Sequence, residues 1–361
     1  MLNSADLYRQ SAAFFERLES RKRGIPGIAW YPYCSLANFE HFVPLLGAEA
    51  DFSALLGGGP VLDIGCADGD LSFFLESVDP ALRIHALDHA GTNFNGFAGV
   101  AALQRALGSA VEIVDANLDE GFTLPARPYS MAFCLGLLYH LKNPFHLLES
   151  LSNYARSCLL STRIMRVFPG GEPVPAHPAA YLLDPDQLNN DETNFWIFNE
   201  AGLRRLVTRA GWQLARFHST AGGGLSGPDT HSADERAFCL LQSRRWLANI
   251  ALGEGWHEQS SEGWRWTERR FAFSLMPGPW RTLALHFHLP EAAFSQGQGA
   301  LTVALPSLNA SYRAVEPGSH ILRASLPDAA TRLECTVDRP CSAGTVDERE
   351  LGIVVTEINY S

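Results

Sequence analysis

Two glycines close a short apolar run in Val61-Leu62-Asp63-Ile64-Gly65-Cys66-Ala67-Asp68-Gly69-Asp70-Leu71. Val61, Leu62 and Ile64 suit a central parallel strand, which is apolar on both faces. Gly65 and Gly69 let the chain turn sharply and approach a ligand with no Cβ in the way. From Asp70 to Val78 the pattern is helical, so a helix N-terminus faces that ligand. Arg83-Ile84-His85-Ala86-Leu87-Asp88 then reads as a second strand ending in an acid. It follows the turn by roughly 20 residues, where nucleotide-binding α/β folds place a carboxylate for ribose hydroxyls. A G-x-G-x-x-G dinucleotide fingerprint needs glycine at 65, 67 and 70, but Ala67 and Asp70 stand there, so NAD fits poorly.

Elements on either side must hold this turn in place. Gly57-Gly58-Gly59-Pro60 stops whatever precedes the strand. A helix over 95–107, a third strand Val111-Glu112-Ile113-Val114-Asp115, and a fourth strand over 129–136 follow. Asn143-Pro144 starts a helix with an Asn cap and a proline at its first position. A fifth strand is expected over 157–165, a helix over 199–210, and a closing hairpin over 212–218 and 236–242. Alternating strands and helices of this kind make a doubly wound sheet.

The hydrophobic pair, acid, apolar residue and G-C-x-x-G of Val61 to Gly69 resemble the first motif of class I S-adenosylmethionine-dependent methyltransferases. The resemblance spans roughly residues 25–245 and implies a Rossmann-like, seven-stranded α/β domain with S-adenosylmethionine as cofactor. It implies the methionine end over Gly65, Cys66, Ala67 and Gly69, the ribose on Asp88 beside His89, and the adenine near Asp115, Ala116 and Leu135. Asp63 either braces the glycine turn from inside or touches the cofactor.

In this fold the tip of the fourth strand faces the reactive methyl group, and Tyr139-His140 sit there. An imidazole has the right ordinary pKa to act as general base near neutrality. The alternative is that His140 only bonds backbone at a helix start. His177 and Asp191 are further base candidates. Leu138-Tyr139-His140, with Lys142 and Pro144 close behind, is similar to the branch containing the tRNA wobble-uridine carboxymethyltransferases. Leu188-Asn189-Asn190-Asp191-Glu192-Thr193-Asn194-Phe195-Trp196 resembles small relatives of that branch. Residues 166–198 are too long for an ordinary link and read as a functional lid in which Asn194 and Trp196 contact acceptor or cofactor.

Ahead of the turn, residues 2–23 pattern as an amphipathic helix rather than a signal peptide. Its end, Arg21-Lys22-Arg23, is either a solvated helix end or a docking patch. A breaker-rich link carries Trp30, Tyr31 and Tyr33, and a second helix is expected over 35–46. Trp30 and Tyr33 either line the acceptor side of the cleft or pack a cap onto the core.

A length of 361 residues allows one large or two ordinary domains, and 46% hydrophobic residues are ample for a sizeable core. A net charge of −11 disfavours a nucleic-acid partner, since phosphate binding draws on clustered Lys and Arg. The seven cysteines, at 34, 66, 134, 158, 239, 335 and 341, form no C-x-x-C pair. No metal site or disulfide framework is therefore expected, and a reducing cytoplasm is the natural home. No run reaches the ~18 apolar residues that a membrane helix needs, so no membrane insertion is expected.

Beyond residue 245 the pattern alternates with period two in Phe271-Ala272-Phe273, Leu283 to Phe287, Leu301-Thr302-Val303, Ile321-Leu322, Leu333 to Val337 and Gly352 to Val355. Turn signals separate the runs, the profile of a β-sandwich. Trp264-Arg265-Trp266-Thr267 and Arg349-Glu350-Leu351-Gly352-Ile353 are similar to β-sandwich modules attached to bacterial glycosyltransferases of surface-polysaccharide assembly. Trp264 and Trp266 either pack as strand-core residues or stack on sugar rings.

The reading is thus an N-terminal helical cap over 1–47, a methyltransferase domain over 48–245 and an all-β sandwich over 246–361. Its favoured acceptor is a sugar hydroxyl on a surface polysaccharide or its precursor. A tRNA-modifying enzyme and a non-catalytic glycan-binding protein with a vestigial cofactor site are the rivals. The oligomeric state, a homo-oligomer included, stays open.

Overall fold

The computed structural model describes residues 3–360 apart from 58, 127, 189, 221–222, 231–233, 260–263, 276–280, 298, 328–331 and 340–348. Gly58, Asn189 and Cys341, which the sequence reading used, lie outside the described residues. The chain divides into two compact units, Met1–Ala248 and Asn249–Ser361.

The first unit is built on a nine-stranded sheet. Strands β1 (Val61–Ile64), β2 (Ile84–Asp88), β3 (Glu112–Asp115), β4 (Tyr129–Leu135) and β5 (Ala155–Met165) are parallel neighbours in the order β3-β2-β1-β4-β5. Two short strands, β6 (Ala180–Leu182) and β7 (Trp196–Asn199), join at the C-terminal end of β5. The hairpin β8 (Trp212–Ser219) and β9 (Glu235–Ser243) closes the sheet, with β9 antiparallel to β5. Leaving aside β6 and β7, the sheet is the expected Rossmann-like arrangement of seven strands. The lid is not simply a loop: it adds two strands to the sheet edge.

Helices α1 (Ser4–Arg23), α2 (Phe39–Leu46), α3 (Phe52–Leu56), α4 (Asp70–Val78), α5 (Ala98–Leu107), α6 (Pro144–Ser152) and α7 (Glu200–Arg209) cover the sheet. Sequence reasoning missed α3 and ran α2 four residues too early, since Ser35–Asn38 is a 3-10 turn. Asn143 caps α6 by accepting the His146 N–H at 3.1 Å, and Asn199 caps α7 by accepting the Gly202 N–H at 2.7 Å. Leu7, Phe14 and Leu18 from α1 and Phe39 and Phe42 from α2 are buried with Val61, Phe73 and Phe133 in one cluster. The N-terminal helices therefore share the core of the sheet rather than riding above it. Among the described residues no helix is long and apolar enough to cross a membrane.

The second unit is all β. One sheet holds β10 (Ile250–Leu252), β13 (Arg270–Leu275), β15 (Leu301–Leu305), β16 (Ala310–Ala314) and β18 (Arg332–Val337). The other holds β11 (Trp256–Gln259), β12 (Arg265–Thr267), β14 (Thr282–Leu289), β17 (Gly318–Ser325) and β19 (Val354–Tyr360). Burial alternates along β15 and β18, as one face toward a core requires. Trp256 meets Phe271 at 5.0 Å between ring centroids and Phe287 meets Tyr312 at 5.9 Å, pairs that join the two sheets. Trp264 and Trp266 are half-buried.

Candidate cofactor and acceptor site

The turn after β1 is built from three residues with positive φ: Gly65 at 74°, Ala67 at 49° and Gly69 at 83°. Backbone bonds fix its course. The Gly65 and Cys66 N–H groups both donate to the Leu87 carbonyl, at 2.8 and 3.1 Å, and Gly69 N–H donates to Cys66 at 2.7 Å. A Cβ on Gly69 would lie 2.8 Å from Phe73 and 2.9 Å from Val100, so packing as well as φ demands glycine. Ala67 has no such licence, and its left-handed conformation is a local strain. Its N–H is held by Asp88 Oδ2 at 2.9 Å.

Asp88 and Asp115 are register partners at the C-terminal ends of β2 and β3. Asp88 Oδ2 also accepts from the Asn93 amide at 3.0 Å, while Oδ1 accepts the His89 N–H at 2.8 Å. Burial raises the Asp88 pKa, opposed by these N–H donors. Asp115 Oδ1 accepts the Ala90 N–H at 2.9 Å and lies 3.4 Å from His89 Nδ1. Ala116 spends its N–H on the Asp88 carbonyl at 2.9 Å. Asp63 is buried and accepts from Ser72 Oγ at 2.7 Å, tying β1 to α4. Burial, with Asp88 and Asp70 adding and Ser72 opposing, pushes its pKa up to about 7. Burial likewise keeps the Cys66 thiol protonated. Leu135 ends β4, packed against the core.

Two further buried acids escaped the sequence reading. Asp68 accepts the Tyr31 N–H at 2.7 Å on one oxygen and the Asn95 amide at 2.7 Å on the other. Asp70 pairs with Lys22, whose Nζ is 3.0 Å away, and both side chains are buried. Of the basic run at the end of α1, Lys22 is therefore neither solvated nor part of a docking patch. Its ammonium also lies 5.8 Å from the Trp30 ring centroid. The signal was present as acids flanking a glycine in a buried turn, which must find donors.

Trp30 packs against the core, and Tyr33 is 68% exposed. Tyr31, between them, packs edge-on against Tyr33 at 5.5 Å and against Phe94 at 6.0 Å. Its hydroxyl is pushed up to about 12, first by burial and then by Tyr139, Tyr33 and Asp88.

The second half of the site begins beside the glycine turn. A Cβ on Gly65 would meet the Leu137 methyls at 3.2 Å, so the tip of β4 abuts the turn. Tyr139 and His140 follow in a 3-10 turn, their rings 4.5 Å apart. Arg236 on β9 donates from Nη1 to the Tyr139 hydroxyl at 3.3 Å and from Nε to Asp234 at 3.2 Å. His140 Nδ1 lies 2.9 Å from Thr193 Oγ1 and 3.2 Å from the Thr193 carbonyl. Burial lowers the His140 pKa and Arg236 adds to this, while Asp191 and the Thr193 carbonyl pull it back up.

The lid is stitched to this turn. Phe195 N–H donates to the Tyr139 carbonyl at 2.7 Å and Trp196 Nε1 to the Lys142 carbonyl at 3.1 Å. Asn194 is buried, its amide donating to the carbonyls of Leu188 and Asp191 at 3.0 and 3.2 Å. The Asn194 amide thus holds the lid itself, while the Trp196 indole ties it to the segment after His140. Asp191 accepts the Thr193 hydroxyl at 2.6 Å. The His177 side chain is exposed, and its carbonyl receives the Asn199 amide at 2.8 Å.

No family model and no curated protein matches the chain. Among solved structures, the N-terminal domain of EvdMO1 with SAH bound is 15% identical, over 67% of this chain and 98% of that one, with a TM-score of 0.40. The CcbJ methyltransferase from Streptomyces caelestis is 14% identical, over 53% and 86%, with a TM-score of 0.36. Coclaurine N-methyltransferase bound to N-methylheliamine and SAH is 12% identical, over 58% and 70%, with a TM-score of 0.43. Likenesses this slight leave activity and substrate to the residues of this chain.

Proposed function

We propose that this chain is an S-adenosylmethionine-dependent methyltransferase that acts on a hydroxyl of a sugar, on a surface polysaccharide or its precursor. The observation that carries the reading is the abutment of two features at the C-terminal ends of the neighbouring strands β1 and β4. The glycine turn, its strained Ala67 clasped by Asp88, meets the Tyr139-His140 turn through Leu137.

The residues present fit the cofactor. Asp88 Oδ1 holds one backbone N–H and keeps acceptor capacity for a ribose hydroxyl. Among the described residues Asp115 Oδ2 has no partner and can take an adenine amino group. Backbone of Gly65 to Gly69 would run beside the methionine end, and the buried Asp63 and half-buried Asp88 suit a cationic ligand. When bound, S-adenosylmethionine supplies an electrophilic methyl on a sulfonium. The protein's share is to align an acceptor, worth ~7–11 kcal/mol in favourable cases, and to take its proton at His140.

The sugar acceptor rests on the polysaccharide-assembly resemblance of the second unit and on the acid charge balance, which disfavours tRNA. The test is calorimetric titration with S-adenosylmethionine, then radiolabelled methyl transfer into nucleotide sugars, lipid-linked intermediates and polysaccharide, with bulk tRNA alongside. Label in the glycan fraction is expected. Label in tRNA alone would favour the wobble-uridine branch, and no cofactor binding would leave a glycan-binding protein.

A further inference from the structure

We propose that Thr193 and Asp191 form an orienting relay that holds His140 as its Nδ1–H tautomer, leaving Nε2 bare to take the acceptor's proton. The proposal deepens the methyltransferase reading and rests on it for the identity of the acceptor.

The tautomer follows from donor and acceptor types. A carbonyl oxygen only accepts, so Nδ1, 3.2 Å from the Thr193 carbonyl, must carry the proton. The hydroxyl 2.9 Å away gives the same answer by a separate route. Asp191 is an acceptor and lies 2.6 Å from Thr193 Oγ1, so the threonine's only proton points at the carboxylate. Oγ1 can then offer His140 nothing but a lone pair. Asp191 is itself oriented by the Thr193 N–H at 2.9 Å. Among the described residues Nε2 has no partner.

A neutral imidazole so fixed can accept at Nε2 alone. In the step, the acceptor oxygen's lone pair forms the O–CH3 bond. The S–CH3 bond breaks with its pair left on sulfur, and the hydroxyl proton passes to Nε2. The imidazolium that results keeps its Nδ1–H on Thr193, with the Asp191 charge one bond further off. Three groups face this ring: Asp191 favours its protonated form, while Arg236 on β9 opposes it and Tyr139 packs beside it at a tilt of 50°. The relay also ties the base to the lid. Residues 191–196 reach the His140 turn by Thr193, Phe195 and Trp196 together, so the tautomer is set only with the lid docked.

Thr193 and Asp191 are positioning residues, and the test must read the ring rather than the rate. Two-bond proton–nitrogen correlation spectra of the 15N-labelled full chain report which ring nitrogen of each histidine is protonated, with His140→Gln giving the assignment. The wild-type His140 should show a protonated Nδ1 and a bare Nε2 above its pKa. Asp191→Ala frees the threonine proton to point at Nδ1, and Thr193→Val removes one of two acceptors. Both should raise the Nε2–H fraction, and Thr193→Ser should keep the wild-type spectrum. Amide spectra verify folding of each variant. An Nε2–H form dominant in the wild type, or a ratio unmoved in both Asp191→Ala and Thr193→Val, would overturn the relay. No acceptor is needed for this readout, so failure of the functional reading is seen separately. With an acceptor in hand, kcat should fall in Asp191→Ala with KM little changed, by less than the ~10²–10⁴ of removing the base itself.

Discussion

Lys22 Nζ lies 3.0 Å from each carboxylate oxygen of Asp70, joining the last turn of α1 to the first turn of α4, with both side chains out of solvent. Burial favours the neutral forms of both, but Asp70 and Glu19 together hold Lys22 above its ordinary pKa. Asp70 stands above the usual carboxylate range because burial outweighs the lysine. This pair therefore fixes the N-terminal aromatic link against the glycine turn at an electrostatic cost.

Removing one partner should be much worse than removing both. Lys22→Met keeps an apolar side chain of similar length yet leaves Asp70 buried and unpaired, a loss of about 3–5 kcal/mol. Thermal unfolding of Lys22→Met against the Lys22→Met/Asp70→Asn double variant checks this, the double variant being the more stable. In the single variant Asp70 has a folded pKa well above its unfolded one. Its folded state then holds a proton that the unfolded chain has released, so stability falls as pH rises through that window. Equal melting temperatures for single and double variants would reject the account.

Cofactor affinity should depend on Asp88. Asp88→Ala removes the acceptor offered to the ribose and the clasp on Ala67. S-adenosylmethionine binding should weaken by roughly 1.5–3 kcal/mol, the range for a hydrogen bond to a charged group. Unchanged affinity by calorimetry, in a variant whose melting is near normal, would remove Asp88 from the site.

Asp63 offers a pH test. Its folded pKa of about 7 stands above the ordinary carboxylate value of 3.8, with burial as the first cause. The folded state thus binds the proton more tightly. The stability this contributes is whole below the unfolded pKa and is lost as pH rises toward 7. Asp63→Asn keeps an oxygen for Ser72 Oγ and cannot ionise. Its unfolding free energy relative to wild type should climb between pH 4 and pH 7, by an amount on the order of a few kcal/mol. A constant difference across that range would show that Asp63 is ionised throughout.

The glycine turn and its helix were legible in the sequence because their determinants are local. Gly65 and Gly69 supply the backbone freedom, and α4 runs over Asp70–Val78 as its periodicity implies. The same holds for α6, whose cap and first-turn proline are adjacent in the chain. Strands β6 and β7 were not legible: three and four residues long, they owe their form to pairing with each other and β5. Lys22 was misread because a basic run at a helix end looks the same whether water or a buried acid 48 residues away receives it. His140 was found by its place after β4. Thr193, 53 residues on, carries no signal of its own until the lid folds back.

The last expectation separates proton transfer from structure at His140. As base it must be neutral to act, and burial places its pKa below the ordinary 6.5. The rate should therefore rise with pH along a limb centred below that value and level off near neutrality. His140→Ala should abolish the limb and lower kcat by ~10²–10⁴. Cofactor affinity should stay near wild type, because the base serves the other substrate. Stability adds a sign that a structural role would share: with a depressed folded pKa, the wild type loses stability as pH falls below 6.5, and the variant does not. The rate therefore decides. If kcat persists in the folded variant, His140 is only a bond to Thr193. If kcat collapses while the pH limb survives, the proton goes elsewhere, and Asp191 or His177 must be tested in the same profile.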